Sequence, residues 1–194
     1  MTEDRRVSVS PIIHPITPER WDDLVLVFGR RALDPDSCWC QRFRDHDDTS
    51  NRNALHDEVE RAVVPIGLLA YVDGRPVGWA RVAPRATLPG ILKNRALRRV
   101  LDDDPSAWWV TCFVILPEYR GMGVGPALLR GAGEHARGNG ASVIDGHRVD
   151  VKNLQAKRVS GSALFTGTVA TFESAGFREI GRTCPSRPVM RLDL

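Results

Sequence analysis

The stretch "AWWVTCFVILPEYRGMGVGPALL" (107–129) decides how the rest of the chain is read. Its first ten residues form a continuous apolar run, the pattern of a strand buried on both faces, and Pro117 stops it. Glycines follow at 121, 123 and 125, and an Ala- and Leu-rich run begins directly behind them, predicting a helix to about Asn139. Glycines allow positive φ and let a ligand approach the backbone amides. The first turn of a helix adds unpaired N–H groups and a partial positive charge. A strand, a glycine loop and a helix start together make a site for phosphate or pyrophosphate. Pro126 suits the first turn, where its missing N–H costs nothing.

Two phosphate motifs do not fit. A P-loop places Lys and then Ser or Thr after its glycines, where this chain has Pro126 and Ala127. The dinucleotide fingerprint needs its third glycine one residue later, and needs an early strand before it.

Working outward, "VSVSPIIHPI" (7–16) reads as a strand. "TPERWDDLVLVFGRRA" reads as a helix with Thr17 as N-cap and Pro18 at the first helical position. "NRNALHDEVERAVV" predicts a second helix. "IGLLAYVDGRPVGWARVAP" is a hairpin, with Asp73 and Gly74 at its turn. Between 88 and 106, Ile91, Leu92, Ala96, Leu97, Val100 and Leu101 fit one helical stripe that ends at the Asp run and Pro105. After the glycine loop and its helix, "ASVIDGHRV" predicts a strand, and residues 149–166 a long loop. "TVATFESAGF" reads as a short helix stopped by Gly176, and "REIGRTCPSRPVMRLDL" as two closing strands.

The 194 residues carry a net charge of +3, nearly all of the positive charge as Arg. No dense basic run interleaved with aromatics appears, which argues against a nucleic-acid partner. No apolar run reaches membrane-spanning length and no signal-peptide core is visible, so a cytoplasmic location is expected. Of the four cysteines, Cys38 and Cys40 flank a Trp without a second pair at zinc-finger spacing. No metal is expected, and the cysteines read as small buried residues.

"ILPEYRGMGVGPALL" resembles the core motif of the GNAT superfamily of acyl-CoA-dependent N-acetyltransferases, matching at Arg120, Gly123 and Gly125. "FESAGF" (172–177) is similar to the family's late "YEKxGF" element, and the order of elements fits along nearly the whole chain. The resemblance implies one α/β (α+β) domain over 1–194. Its central mixed, mostly antiparallel sheet would have about seven strands, flanked by helices and splayed at the central strands. It implies acetyl-CoA as co-substrate. The loop amides of Arg120, Gly121, Met122, Gly123, Val124 and Gly125 would hold its pyrophosphate. The backbone of Phe113, Val114 and Ile115 would pair with the pantetheine arm as an added strand. The acceptor would be a small-molecule or protein amine, attacking the thioester directly in a ternary complex. The resemblance also allows a homodimer.

The family's usual general acid is a Tyr in the late helix, and the alignment places Phe172 there, which has no proton to give. That substitution leaves open a non-catalytic acyl-CoA-binding or sensing domain. The oxyanion would fall to a backbone amide such as that of Val114. His147 and Asp145, on the strand after the long helix, are the candidates for the base, His147 for its intrinsic pKa near neutrality. His46, His56, Glu118 and Glu173 read as solvated side chains. Trp39, Phe43 and Phe165 sit in loops placed to close over an amine, with core packing as the alternative for Trp39 and Trp79.

Overall fold

A computed structural model of the chain describes residues 9–45, 49–150 and 168–194. One sheet of seven strands runs through it. The strands are β1 (Ile12–Pro15), β2 (Gly67–Val72), β3 (Arg75–Pro84), β4 (Trp108–Ile115), β5 (Val143–His147), β6 (Arg178–Cys184) and β7 (Arg187–Asp193). Their spatial order is β1-β2-β3-β4-β5-β7-β6, and only β4 and β5 pair in parallel. The helices are α1 (Trp21–Phe28), α2 (Asn51–Arg61), α3 (Pro89–Leu92), α4 (Val124–Gly138) and α5 (Val169–Glu173). The sheet is mixed, mostly antiparallel and open, and it splays at its centre. No helix among the described residues is long and apolar enough to cross a membrane.

The period-2 alternation of the strands sorts two cores onto two faces. Leu68, Ala70 and Ala80 join Leu128, Leu129, Ala132 and Ala136 of α4 on one face. Leu69, Trp79, Cys112 and Val114 join Leu24, Val27, Phe28, Leu55 and Val59 of α1 and α2 on the other. The stripe on α4 recurs every three to four residues, so the helix buries one side along its length. It ends in a Schellman motif. Ala141 N–H donates to Ala136 O (3.0 Å) and Gly140 N–H to Arg137 O (3.0 Å), with Gly140 at φ +81°.

Three local expectations change. The first helix begins with a 3-10 turn at Pro18–Arg20, and the Thr17 side chain makes no capping bond. The first strand covers only Ile12–Pro15 of the described residues. The stripe from 88 to 106 is not one helix. It breaks into α3 and a 3-10 turn at Leu97–Arg99, because Asn94 Oδ1 accepts from the amides of Ala96 (3.0 Å) and Leu97 (3.1 Å) and starts a new turn. Of the stripe's residues, Ile91 and Leu97 still pack, joining Leu88, Phe43, Trp109 and Val189 in a third cluster, while Leu92 is exposed because the break in the helix turns it to the surface. The Asp73–Gly74 hairpin is as expected, both residues lying at positive φ.

Candidate active site

The site begins with the way β4 and β5 part. Their parallel ladder pairs Trp108, Trp109 and Val110 with Ile144, Asp145 and Gly146, and stops there. On the other side β4 stays paired with β3 up to Ile115. Arg81 faces Cys112 and Val82 faces Val110, so Thr111 is a bulged residue with no partner opposite. A bulge bends its strand and raises the local twist. This one lies one residue beyond the last β4–β5 pair, where the fork opens.

A second feature holds the fork. Arg148, the residue after β5, is fully buried and folds its guanidinium back across the strand. Its Nη2 donates to Val110 O at 2.8 Å, and its central carbon lies 3.7 Å from the Phe172 ring centroid and 5.8 Å from that of Phe113. A Cβ at position 146 would meet Nη2 at 2.2 Å, so only glycine lets the side chain lie there. Phe172 is itself fully buried, edge-on to Phe113 and Phe177. No periodicity in the sequence marks Arg148.

A cleft of about 690 Å³ opens above the fork. Its walls are Phe113, Val114 and Ile115 of β4, the loop residues Arg120, Gly121, Gly123 and Gly125, and Pro126. Arg31 and the α5 side, with Thr168, Ala170, Thr171 and Ser174, close it. Gly123, at φ +92° and ψ −4°, is the N-cap of α4, a left-handed conformation that turns the chain from the loop into the helix. Two of the expected residues are not in the wall. Val124 is buried in the core, and Met122 gives its carbonyl to Val9 N–H (3.1 Å). Arg31 is a cleft residue that sequence reading missed. It comes from the 3-10 turn Gly29–Leu33, which carries no motif. Burial first, then the charge of Arg120, pushes its guanidinium down from the ordinary arginine value. Two cations thus flank the glycine loop. Arg120 is exposed and donates from Nε to Ile115 O (3.2 Å).

Neither candidate base lines the cleft: Asp145 lies in the paired part of β5, and His147 one residue past the last β4–β5 pair. Asp145 is fully buried between two guanidiniums. Arg191 Nε reaches Oδ1 at 2.7 Å, and Arg85 Nη1 reaches Oδ2 at 3.1 Å. Both arginines also hold Asp102, which ties the 85–104 segment to β5 and β7. Burial pushes the Asp145 carboxyl up from the ordinary range, and the two arginines oppose that push. His147 Nε2 is 2.7 Å from Thr183 Oγ1. Burial, then the charges of Arg187, Arg148 and Arg42, lowers its pKa to about 4, so the ring is neutral at physiological pH.

Trp39 is fully buried, stacked on Phe28 (ring centroids 4.3 Å apart), with Nε1 donating to Asp34 O (2.8 Å). It packs the core and presents no surface to an acceptor. Phe43 is likewise buried, against Trp109. Trp79 is in the core and donates from Nε1 to Cys40 Sγ (3.1 Å). Phe165 and His46 lie outside the described residues. His56 stands edge-on to Trp21, and Glu118 pairs with Arg75 at the surface. Cys40 and Cys112 are buried as expected, but Cys38 and Cys184 are exposed.

Residues 29–160 match the model of the acetyltransferase (GNAT) family. No curated protein sequence matches the chain. Among solved structures, the GNAT domain of S. lividans PAT superimposes with a TM-score of 0.59 at 17% identity, covering 95% of this chain and 90% of that one. The structure of yncA from Salmonella typhimurium with its cofactor acetyl-CoA gives 0.55 at 17% identity, covering 95% and 94%. The aminoglycoside acetyltransferase AAC(6')-Ib in complex with coenzyme A and kanamycin gives 0.57 at 16% identity, covering 95% of each chain. At these identities the likeness is one of fold.

Proposed function

Because this chain belongs to the acetyltransferase (GNAT) family, we propose that it transfers an acetyl group from acetyl-CoA to a primary amine by direct attack in a ternary complex. The observation that carries this reading is the cleft at the β4–β5 fork, walled on one side by an unpaired strand edge and closed at its end by the glycine loop and α4. The unpaired first-turn amides of α4 and the cations Arg31 and Arg120 suit a pyrophosphate. The free edge at 113–115 offers N–H and C=O groups in the spacing an amide-containing arm would pair with. The amide of Val114 is the donor nearest to hand for the oxyanion of the tetrahedral intermediate.

In this reading the amine nitrogen attacks the thioester carbonyl carbon, and the intermediate collapses by breaking the C–S bond. Neither Asp145 nor His147 takes the amine's proton. Asp145 is committed to two arginines, and an imidazole with a pKa of about 4 is too weak a base for an alkylammonium. The amine therefore reacts from its neutral form, and the rate rises with pH toward the amine's own pKa. The acceptor is a small-molecule or protein amine.

The test is the unfolding midpoint with and without millimolar acetyl-CoA, followed by an amine panel read by release of free CoA thiol. A ligand at 100 times its Kd adds about 2.7 kcal/mol to stability, a rise of ~5 °C or more for a chain of this size. An unchanged midpoint would remove the cleft from the cofactor's account. Phe172, which has no proton to give, favours a second reading, a domain that binds acyl-CoA without turnover. A raised midpoint with no thiol release from any amine would select it.

A further inference from the structure

Phe172 stands where the family carries a proton-donating tyrosine, and behind its ring lies a charge. The Arg148 guanidinium sits at the closed point of the fork, bonded to the carbonyl of Val110 and stacked on Phe172. Phe113 belongs to the cleft wall, and its ring centroid lies 5.8 Å from the centre of that guanidinium, so the charge stands behind the wall. The glycine loop follows the C-terminal end of β4. A cofactor anchored there by its pyrophosphate runs back along the strand, and its sulfur ends nearest the fork. Burial pushes the guanidinium's pKa down, yet arginine stays protonated where lysine would shed its proton. Gly146 is the cost the strand bears to admit it.

We propose that Arg148 holds the positive potential into which the CoA sulfur departs, replacing the side-chain proton donor that Phe172 cannot be. The inference rests on the reading of the cleft as the acyl-CoA site. Arg148 is a positioning residue: it sets the field at the sulfur through the Phe172 and Phe113 rings without touching the sulfur. The amine nitrogen bonds to the carbonyl carbon, the C–S bond breaks, and its electron pair stays on sulfur as a thiolate. The ammonium proton passes to water, and the thiolate takes a proton from solvent after it leaves.

The experiment needs no acceptor. Free CoA binds to the folded protein, binding is followed by calorimetry, and the thiol pKa of bound CoA is titrated by the ultraviolet absorbance of its thiolate. A nearby cation in a dry site lowers such a pKa by about one unit or more, so the bound thiol should titrate at least that far below free CoA. Arg148→Met should lose the shift, and Arg148→Lys should lose most of it too, because a lysine buried there sheds its proton. Should Arg148→Met fail to fold, the wild-type titration and Arg148→Lys decide alone. CoA that binds with an unshifted thiol overturns the proposal while leaving the cleft reading intact. So does a shift that survives in folded Arg148→Met, which would place its source in Arg31 or Arg120. CoA that does not bind at all overturns the cleft reading and this proposal with it.

Discussion

The two halves of β4 are chemically alike and do opposite things. Residues 108–110 are paired on both sides, to β3 and to β5. There Trp109 is fully buried against Phe43, and the Asp145–Arg85–Arg191 cluster closes the space beside them. Residues 112–115 are just as apolar, yet they pair only with β3, and Phe113, Val114 and Ile115 line the cleft. The difference lies not in β4's composition but in what stands across from it. A bulge at Thr111 bends the strand away, β5 ends one residue past its last pair with β4, and Arg148 fills the corner. A binding cleft here is a sheet left unfinished at a defined residue.

The closed half is the easier to break. Asp145→Ala leaves two buried guanidiniums without their central carboxylate, and removing one partner of a buried pair costs about 3–5 kcal/mol. The expected fall in Tm is on the order of 10 °C, read by calorimetry. If the halves are independent, acetyl-CoA affinity in the surviving folded protein changes less than about threefold. A larger loss would mean that the ion cluster also shapes the cleft.

His147, one residue past the last β4–β5 pair and paired to β7, gives a test by pH. Its folded pKa is about 4, below the unfolded value near 6.5. Between those values the unfolded chain binds the proton and the folded chain does not, so stability falls as pH drops from about 6.5 toward 4. This one group contributes up to about 3 kcal/mol of that loss. Urea midpoints of His147→Gln should show a shallower fall across the window, and parallel curves for the two proteins would refute the assignment.

The open half is tested by ligand. Gly123→Trp forces a large side chain onto a residue at φ +92° beside the loop amides, and should weaken acetyl-CoA at least about a hundredfold, ~2.7 kcal/mol. Calorimetric affinity equal to the parent's would relocate the cofactor. Arg120→Ala is the mildest change. The side chain is exposed and occupied with Ile115 O, so a loss of about threefold or less is expected, the usual worth of an exposed charge. Abolished binding would shift the phosphate contact from backbone to side chain.

Much of the open half was legible in the sequence, because its features are local. An apolar run, a proline stop, spaced glycines and an Ala/Leu stripe each act within a few residues, and they yield β4, the loop and α4 in order. The Asp73–Gly74 hairpin was legible for the same reason. What sequence reading could not give depends on distant partners. Asp145 sits beside His147 on one strand and resembles a base pair of catalytic candidates, but Arg85 and Arg191 take it from 60 and 46 residues away. Arg31 reaches the cleft from a turn without a motif. For Trp39 core packing was already one of the two readings and is the one the structure takes, the ring stacked on Phe28 with Trp39 at φ +28° and Cys40 at φ +61°. The helical stripe at 88–106 was right to bury Ile91 and Leu97, wrong for Leu92, which is exposed, and missed Asn94, whose side chain competes for the backbone amides that a continuous helix would need.

The Asp102–Asp145–Arg191 cluster also sets a timetable. A chain leaving the ribosome emerges from its N-terminus, so β4, the glycine loop and α4 are all outside before Arg191 exists. Until then β5 lacks its far neighbour β7, and Asp145 lacks the closer of its two guanidiniums. Contacts that span 46 and 89 residues are among the slowest a chain can close. The paired end of the fork therefore gains its β7 support and its Arg191 bond only after the glycine loop and α4 have been made.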